Sequence, residues 1–161
     1  MHSVEHIANG FDRNRNLVHR QADGLSHADS LLQPPFRGNC FNWVLGHIVV
    51  HRDKVIRVLD GEPVLDSATT DRYENESNPI TEDGPHIVDF ARLLSMFDES
   101  QSRVEKALFD RGETGMRRSV EIRDKTVPLW KRVDFLLFHD TYHTGQTELL
   151  RQLAGVDDKV I

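Results

Sequence analysis

The chain has 161 residues, 38% hydrophobic and 29% charged, which fits one globular domain able to bury its own core. A net charge of −6, with no Lys/Arg cluster or stripe interleaved with aromatics, argues against nucleic acid or an anionic membrane as partner. Cys40 is alone, so no intrachain disulfide forms; no apolar run reaches a membrane span, and MHSVEHIANGFDRNRN lacks the apolar stretch of a secretory signal, so the cytoplasm is the expected compartment.

The first predicted helix covers 3–23, where Val4, Ile7, Phe11, Val18, Ala22 and Leu25 recur at steps near three and four. Asn14 and Arg15 interrupt that face. HADSLLQPPFRGN follows, and its Pro34-Pro35 pair marks a connection. A second helix is predicted over 42–59, with Asn42 as N-cap, a broad apolar face from Trp43 to Leu59, and Gly61 and Pro63 as the stop. Residues 60–86 show no helical period and hold eight Asp/Glu against the single Arg72. They read as a surface crossover with an acidic outer face. A third helix is predicted over 87–109, with Phe90, Leu93, Leu94, Phe97, Val104 and Leu108 inward. SVEIRDKTVPLW reads either as a small hairpin turning at Arg-Asp-Lys or as an extended loop. Pro128 suits the first turn of a last helix that runs to Leu153 and stops at Gly155. Four helices with no strand-helix alternation predict an all-α four-helix bundle, a fold that builds sites from facing side chains.

The last helix carries Arg132, Leu136, His139, His143, Gln146, Leu150 and Leu153 at steps of four and three. This reads as one stripe in which two imidazoles sit among core leucines. Residues four apart on a helix have Cβ atoms about 5–6 Å apart, so two rings can aim at one point. A metal ion or hydrogen-bond acceptors must satisfy them if they are buried. The second helix repeats the spacing with His47 and His51, in a stripe with Val44, Val55 and Val58. His51 lies in HRDK, a charged context that also fits a solvent-facing residue. His2, His6, His19 and His27 read as surface residues, and nothing in the spacing of His86 requires it at a site. Cys40 reads as a small buried hydrophobe. Asp140 and Glu148 read as helix surface charges, with a carboxylate behind a metal-bound histidine as the other reading.

NWVLGHI, a VLDGEP helix end and HDTYHTGQTELLRQLAG together resemble the DinB-like (DinB/YfiT) superfamily over most of the chain. The resemblance implies a four-helix bundle in up-up-down-down order with long crossovers, and a homodimer. It implies a divalent metal, nickel or zinc foremost and iron or manganese next, held by His47, His139 and His143. It gives no fixed role to His51. The activity it implies is that of a metal-dependent transferase or hydrolase in which a low-molecular-weight thiol, or water, attacks a small electrophilic substrate. Three protein ligands leave positions open for such chemistry. Gln146 and His51 are the candidates for a catalytic or orienting role. A non-catalytic metal-binding or stress-responsive dimer is the alternative, and a fourth protein ligand such as His51 or His86 would favour it.

Overall fold

The computed structural model describes residues 3–122 and 124–158; His2 and the Arg123 of the expected turn lie outside the described residues. The elements in chain order are α1 (Val4–Ala22), α2 (His27–Ser30), α3 (Phe41–Val58), α4 (Ser67–Tyr73), α5 (Phe90–Gly115), β1 (Ser119–Ile122), β2 (Lys125–Pro128) and α6 (Leu129–Leu153). The four long helices form the bundle, and the hairpin between α5 and α6 is present, with Val120 paired to Val127.

Long-range pairs set the directions. Along α3 and α6, His47 meets His143 while Arg52 meets Asp140, so these helices are antiparallel. Along α1 and α6, Asn14 meets Asp140 while Gln21 meets Thr147, so these are parallel. Along α3 and α5, Phe41 meets Phe90 while Arg52 meets Gln101, again parallel. The order is therefore up-down-down-up, not up-up-down-down. The connection after α1 is long but does not travel: α2 folds it back at the same end of the bundle. Only 59–89 crosses from one end to the other.

Helix ends follow local chemistry. Ser3 caps α1 through a bond from the His6 N–H at 3.1 Å, and Asp89 caps α5 through bonds from Ala91 and Arg92. The helix expected from Asn42 starts one residue earlier, with Cys40 at the cap position. Asn42 lies inside the helix and fully buried, because its amide donates to the Val88 carbonyl at 2.9 Å and accepts from the Tyr73 hydroxyl at 2.8 Å. α5 runs past the expected 109 and turns at Gly112, whose φ of 64° suits glycine. Pro128 closes β2 and occupies the cap position of α6 rather than its first turn.

Two apolar clusters fill the bundle. One packs Val18, Phe41, Ile48, Tyr73, Phe97 and their neighbours; the other packs Ile7, Phe11, Ile56, Leu108 and Leu129. Burying each such side chain stabilises by about 1.5–3 kcal/mol. Between the clusters lies a polar layer to which all four long helices contribute. Arg52, fully buried, donates through Nε to Asp140 Oδ2 at 2.7 Å, through Nη1 to Gln101 Oε1 at 2.9 Å and through Nη2 to the Phe11 carbonyl at 3.1 Å. Asn14 Nδ2 donates to Asp140 Oδ1 at 2.8 Å. Asn14 thus does not break the α1 face; it serves the layer. Asp140 is a buried partner, not a surface charge.

Residues 60–86 form the expected surface crossover with an acidic outer face, but it is anchored to the core and holds a short helix. Asp53, fully buried on α3, accepts from the Val64 and Leu65 N–H groups at 2.8 and 2.9 Å. Leu65, Tyr73 and Ile80 are buried in the first cluster, and α4 forms between these anchors. The acidic residues face outward around them.

Candidate metal centre

His47 and His51 on α3 meet His139 and His143 on α6 at the level just beyond the Arg52–Asp140 pair. Ring centroids are 5.1 Å apart for His47–His139, 4.8 Å for His47–His143 and 4.4 Å for His139–His143. His51 stacks on His139 at 3.6 Å with an interplanar angle of 13°. Its charged neighbours suggested solvent, yet His51 is buried, because Arg52 and Asp53 are themselves buried and paired. The most buried line of α6 runs Leu136, Asp140, Thr144, Thr147 and Arg151. His139 and His143 therefore flank the core line rather than lie on it, half-buried and turned to one side. His86 is exposed on the crossover, and Glu148 is half-buried on α6. His6 is exposed, while His19 and His27 pair with Asp98 and Asp83 away from the cluster.

Each ring is held differently. His47 Nδ1 bonds the Tyr73 carbonyl oxygen at 2.8 Å, which makes Nδ1 the donor and leaves Nε2 with a free lone pair. Trp43 stacks on its other side, 4.6 Å between centroids, with its own indole N–H donating to Ser77. His143 Nδ1 bonds Gln146 Oε1 at 2.8 Å, again leaving Nε2 free. Acceptors behind ring nitrogens orient histidines in metal sites in this way. Gly46 makes the Tyr73 contact possible, since any Cβ there would overlap the Tyr73 ring. No sequence pattern marked Tyr73; its only signal was one aromatic in an acidic segment.

His51 Nδ1 and His139 Nδ1 are buried without a hydrogen-bond partner. Orphaned buried nitrogens are costly, and two in one cluster fit an ion that supplies the missing bond. One ligand nitrogen each from His47, His51 and His139 lies within 4.8 Å of the others. An ion with Zn–N bonds of about 2 Å would draw them to about 3.4 Å, a small inward movement of rings.

Electrostatics favour the metal-binding form. Burial lowers the His47 pKa to about 4, opposed by the Tyr73 carbonyl and helped by His143. Burial, then His139 and His47, lowers His51 to about 2. Burial, then His143 and His47, lowers His139 to about 3. Burial also lowers His143, against the Gln146 bond and the Asp140 charge. Lys54 stands beside the cluster, 3.3 Å from His51 Nε2 and 2.7 Å from Glu74. Four neutral imidazoles suit zinc, nickel or another divalent transition ion.

A cavity of about 580 Å³ opens beside His47 and His143. The 34–39 connection, the start of α3 and the second half of α6 line it, with Phe36, Trp43, Val44, Tyr142 and Leu149 as apolar walls. This volume is that of a small-molecule site.

Comparison with known proteins gives the family and the fold. The sequence model of the DinB superfamily matches residues 10–147. A conserved protein from Enterococcus faecalis, known from its crystal structure, has a similar fold. It is 17% identical, with a TM-score of 0.75 over 96% of this chain and 98% of that one. No curated protein matches the sequence. Among the described residues no helix is long and apolar enough to cross a membrane.

Proposed function

The chain belongs to the DinB superfamily, and from that premise we propose a divalent-metal-dependent enzyme acting on a small electrophilic substrate with a low-molecular-weight thiol or water. The observation that carries the reading is the convergence of four neutral imidazoles, two with orphaned nitrogens, beside a small-molecule cavity. His47, His139 and His143 are the proposed ligands, the first and last through Nε2. The anchoring of their Nδ1 atoms by Tyr73 and Gln146 supports this. The ion, nickel or zinc, would make a thiol or water nucleophilic at neutral pH.

The chain's own residues do the rest. Gln146 fixes the His143 ring. Trp43 and the Tyr73 carbonyl fix His47. The apolar walls limit water around the substrate. His51 is too weak a base to take a proton near neutral pH, so the reading gives it no catalytic role. In thiol transfer, sulfur bonds carbon as the leaving group departs with the bonding pair, and the thiol proton passes to solvent.

The test is a rate. With zinc- or nickel-loaded protein, a panel of small thiols and 1-chloro-2,4-dinitrobenzene, the wild type should exceed the uncatalysed reaction. His143→Ala should lose at least about tenfold of that rate, the usual scale for disturbing a metal shell. Metal-loaded protein with no rate above background for any thiol contradicts the reading.

A second reading has its own support. The proximity of His51 to His47 and His139 favours a sphere closed by a fourth protein ligand. A closed sphere fits a structural, non-catalytic metal. X-ray absorption on the zinc-loaded protein decides: four imidazoles support this reading, and three with a light exchangeable ligand support catalysis.

A homodimer is also proposed. Phe135, Phe138, Tyr142 and Leu149 on α6 each leave more than half of their surface exposed. At about 100° per residue they lie about 180° from the buried line of the same helix. At roughly 100 Å² each, they supply about half of what one partner contributes to a specific interface.

A further inference from the structure

The sequence has 26 acidic residues against 20 basic ones. None of the acidic residues lines the cavity beside the histidines; Arg37 does. Among the described residues Arg37 is the one Lys or Arg of the lining, and no carboxylate faces it there. Among the described residues Arg37 makes no hydrogen bond or ion pair. It is exposed at the rim, on the short Pro34–Asn39 connection that ends at the start of α3.

Much of the rest of the lining is apolar and aromatic. Phe36, Tyr142 and Leu149 each leave more than half of their surface uncovered, and Trp43 and Leu150 lie deeper. Isolated exposed apolar residues mean little, but a contiguous set around one cavity marks a binding surface. The side-chain amides at its edges, Asn39, Asn75 and Gln152, are neutral. An uncommitted guanidinium beside an apolar chamber in an acidic protein suits one oxyanion on an apolar body.

We propose that this cavity binds an amphipathic monoanion: an aromatic or aliphatic body against Phe36, Trp43, Tyr142 and Leu149, and one carboxylate on Arg37. The inference rests on the reading of the histidines as a reaction centre only for orientation, since it directs the end remote from the carboxylate towards His47 and His143. Specificity comes from the distance between the cation at the rim and the imidazoles at the side. Neutral analogues lose the Arg37 bond, and dianions meet no second cation among the lining residues.

The probe pair is 4-phenylbutyrate and its uncharged amide, 4-phenylbutyramide, titrated calorimetrically into the full chain, both metal-free and zinc-loaded. The acid should bind the metal-free protein about tenfold more tightly than the amide, the scale of one charge-assisted hydrogen bond. Arg37→Gln should bring the acid down to the amide without changing the amide. Phe36→Ser, at an exposed lining position outside the proposed dimer face, should weaken both probes. Equal binding of acid and amide by the wild type overturns the proposal, as does an acid that ignores Arg37→Gln. Discrimination seen only with zinc also overturns it, because the metal would then be the anion site. The two readings fail separately. Arg37-dependent binding without metal uptake leaves this proposal standing and removes the metal, and metal uptake without discrimination does the reverse.

Discussion

Arg52 and Asp140 occupy a layer in which neither charge would be tolerated alone. The guanidinium also lies over the Phe97 ring, 4.1 Å from its centroid. Breaking a buried pair from one side strands the other charge, so Asp140→Ala should lower the unfolding free energy by about 3–5 kcal/mol in a urea titration. Replacing both residues by apolar ones should cost less. A loss below about 1 kcal/mol for the single variant would mean that water reaches the pair. The histidines give a second prediction at this scale. Their folded pKa values, about 4 for His47, 2 for His51 and 3 for His139, lie below the ordinary 6.5. Between those values and 6.5 the unfolded chain binds more protons, so stability rises with pH across that window. Metal-free protein should therefore lose stability steadily as pH falls below 6.5, with no such slope above it. Urea midpoints that stay flat from pH 7 to pH 4 would contradict the burial argument. The two His-x-x-x-His pairs were legible because helical spacing alone places the rings together. Asp140 was not, because a lone carboxylate on a helix reads as solvated and its partner is 88 positions away. His51 was obscured by Arg52 and Asp53, two charges whose burial depends on partners elsewhere in the chain.

At the scale of elements, the long helices were visible in their apolar periods, and their ends shifted by only a few positions. The crossover was visible as a connection, but its internal order was not. Its order comes from Asp53, which binds two of its backbone N–H groups, and from Tyr73, which fills the space left by Gly46. Neither anchor has a local pattern. The same element reaches the site, since the Tyr73 carbonyl holds His47. Gly46→Ala should push the Tyr73 ring away, release His47 Nδ1 and weaken zinc binding by about 10–100-fold. A competition titration against a chromophoric chelator measures it. Unchanged affinity would show that α4 has no part in setting the ring.

The whole molecule is organised around α6. One face closes the bundle, its flank carries His139 and His143, and the opposite face presents Phe135, Phe138, Tyr142 and Leu149 to solvent. Gly145 lies among these, where an added Cβ would meet nothing within 4 Å. A mid-helix glycine costs about 1 kcal/mol relative to alanine, and in the proposed dimer it would leave a flat place for a second helix. Phe138→Asp should convert the proposed dimer to a monomer in sedimentation velocity without loss of helix content. A wild-type monomer at high micromolar concentration would contradict the proposed pairing. Helix directions are not legible in connection length, because length is not distance travelled. α2 uses its residues to turn in place, whereas 59–89 crosses the bundle.

If these imidazoles are gathered for an ion, His47 holds it in either proposed ligand set. Untagged wild type and His47→Ala, purified without chelator, reloaded with zinc or nickel and desalted, should be compared by elemental analysis. About one divalent ion per wild-type chain, and none retained by the variant, is the expected result. Wild-type protein that retains no ion after reloading would contradict it.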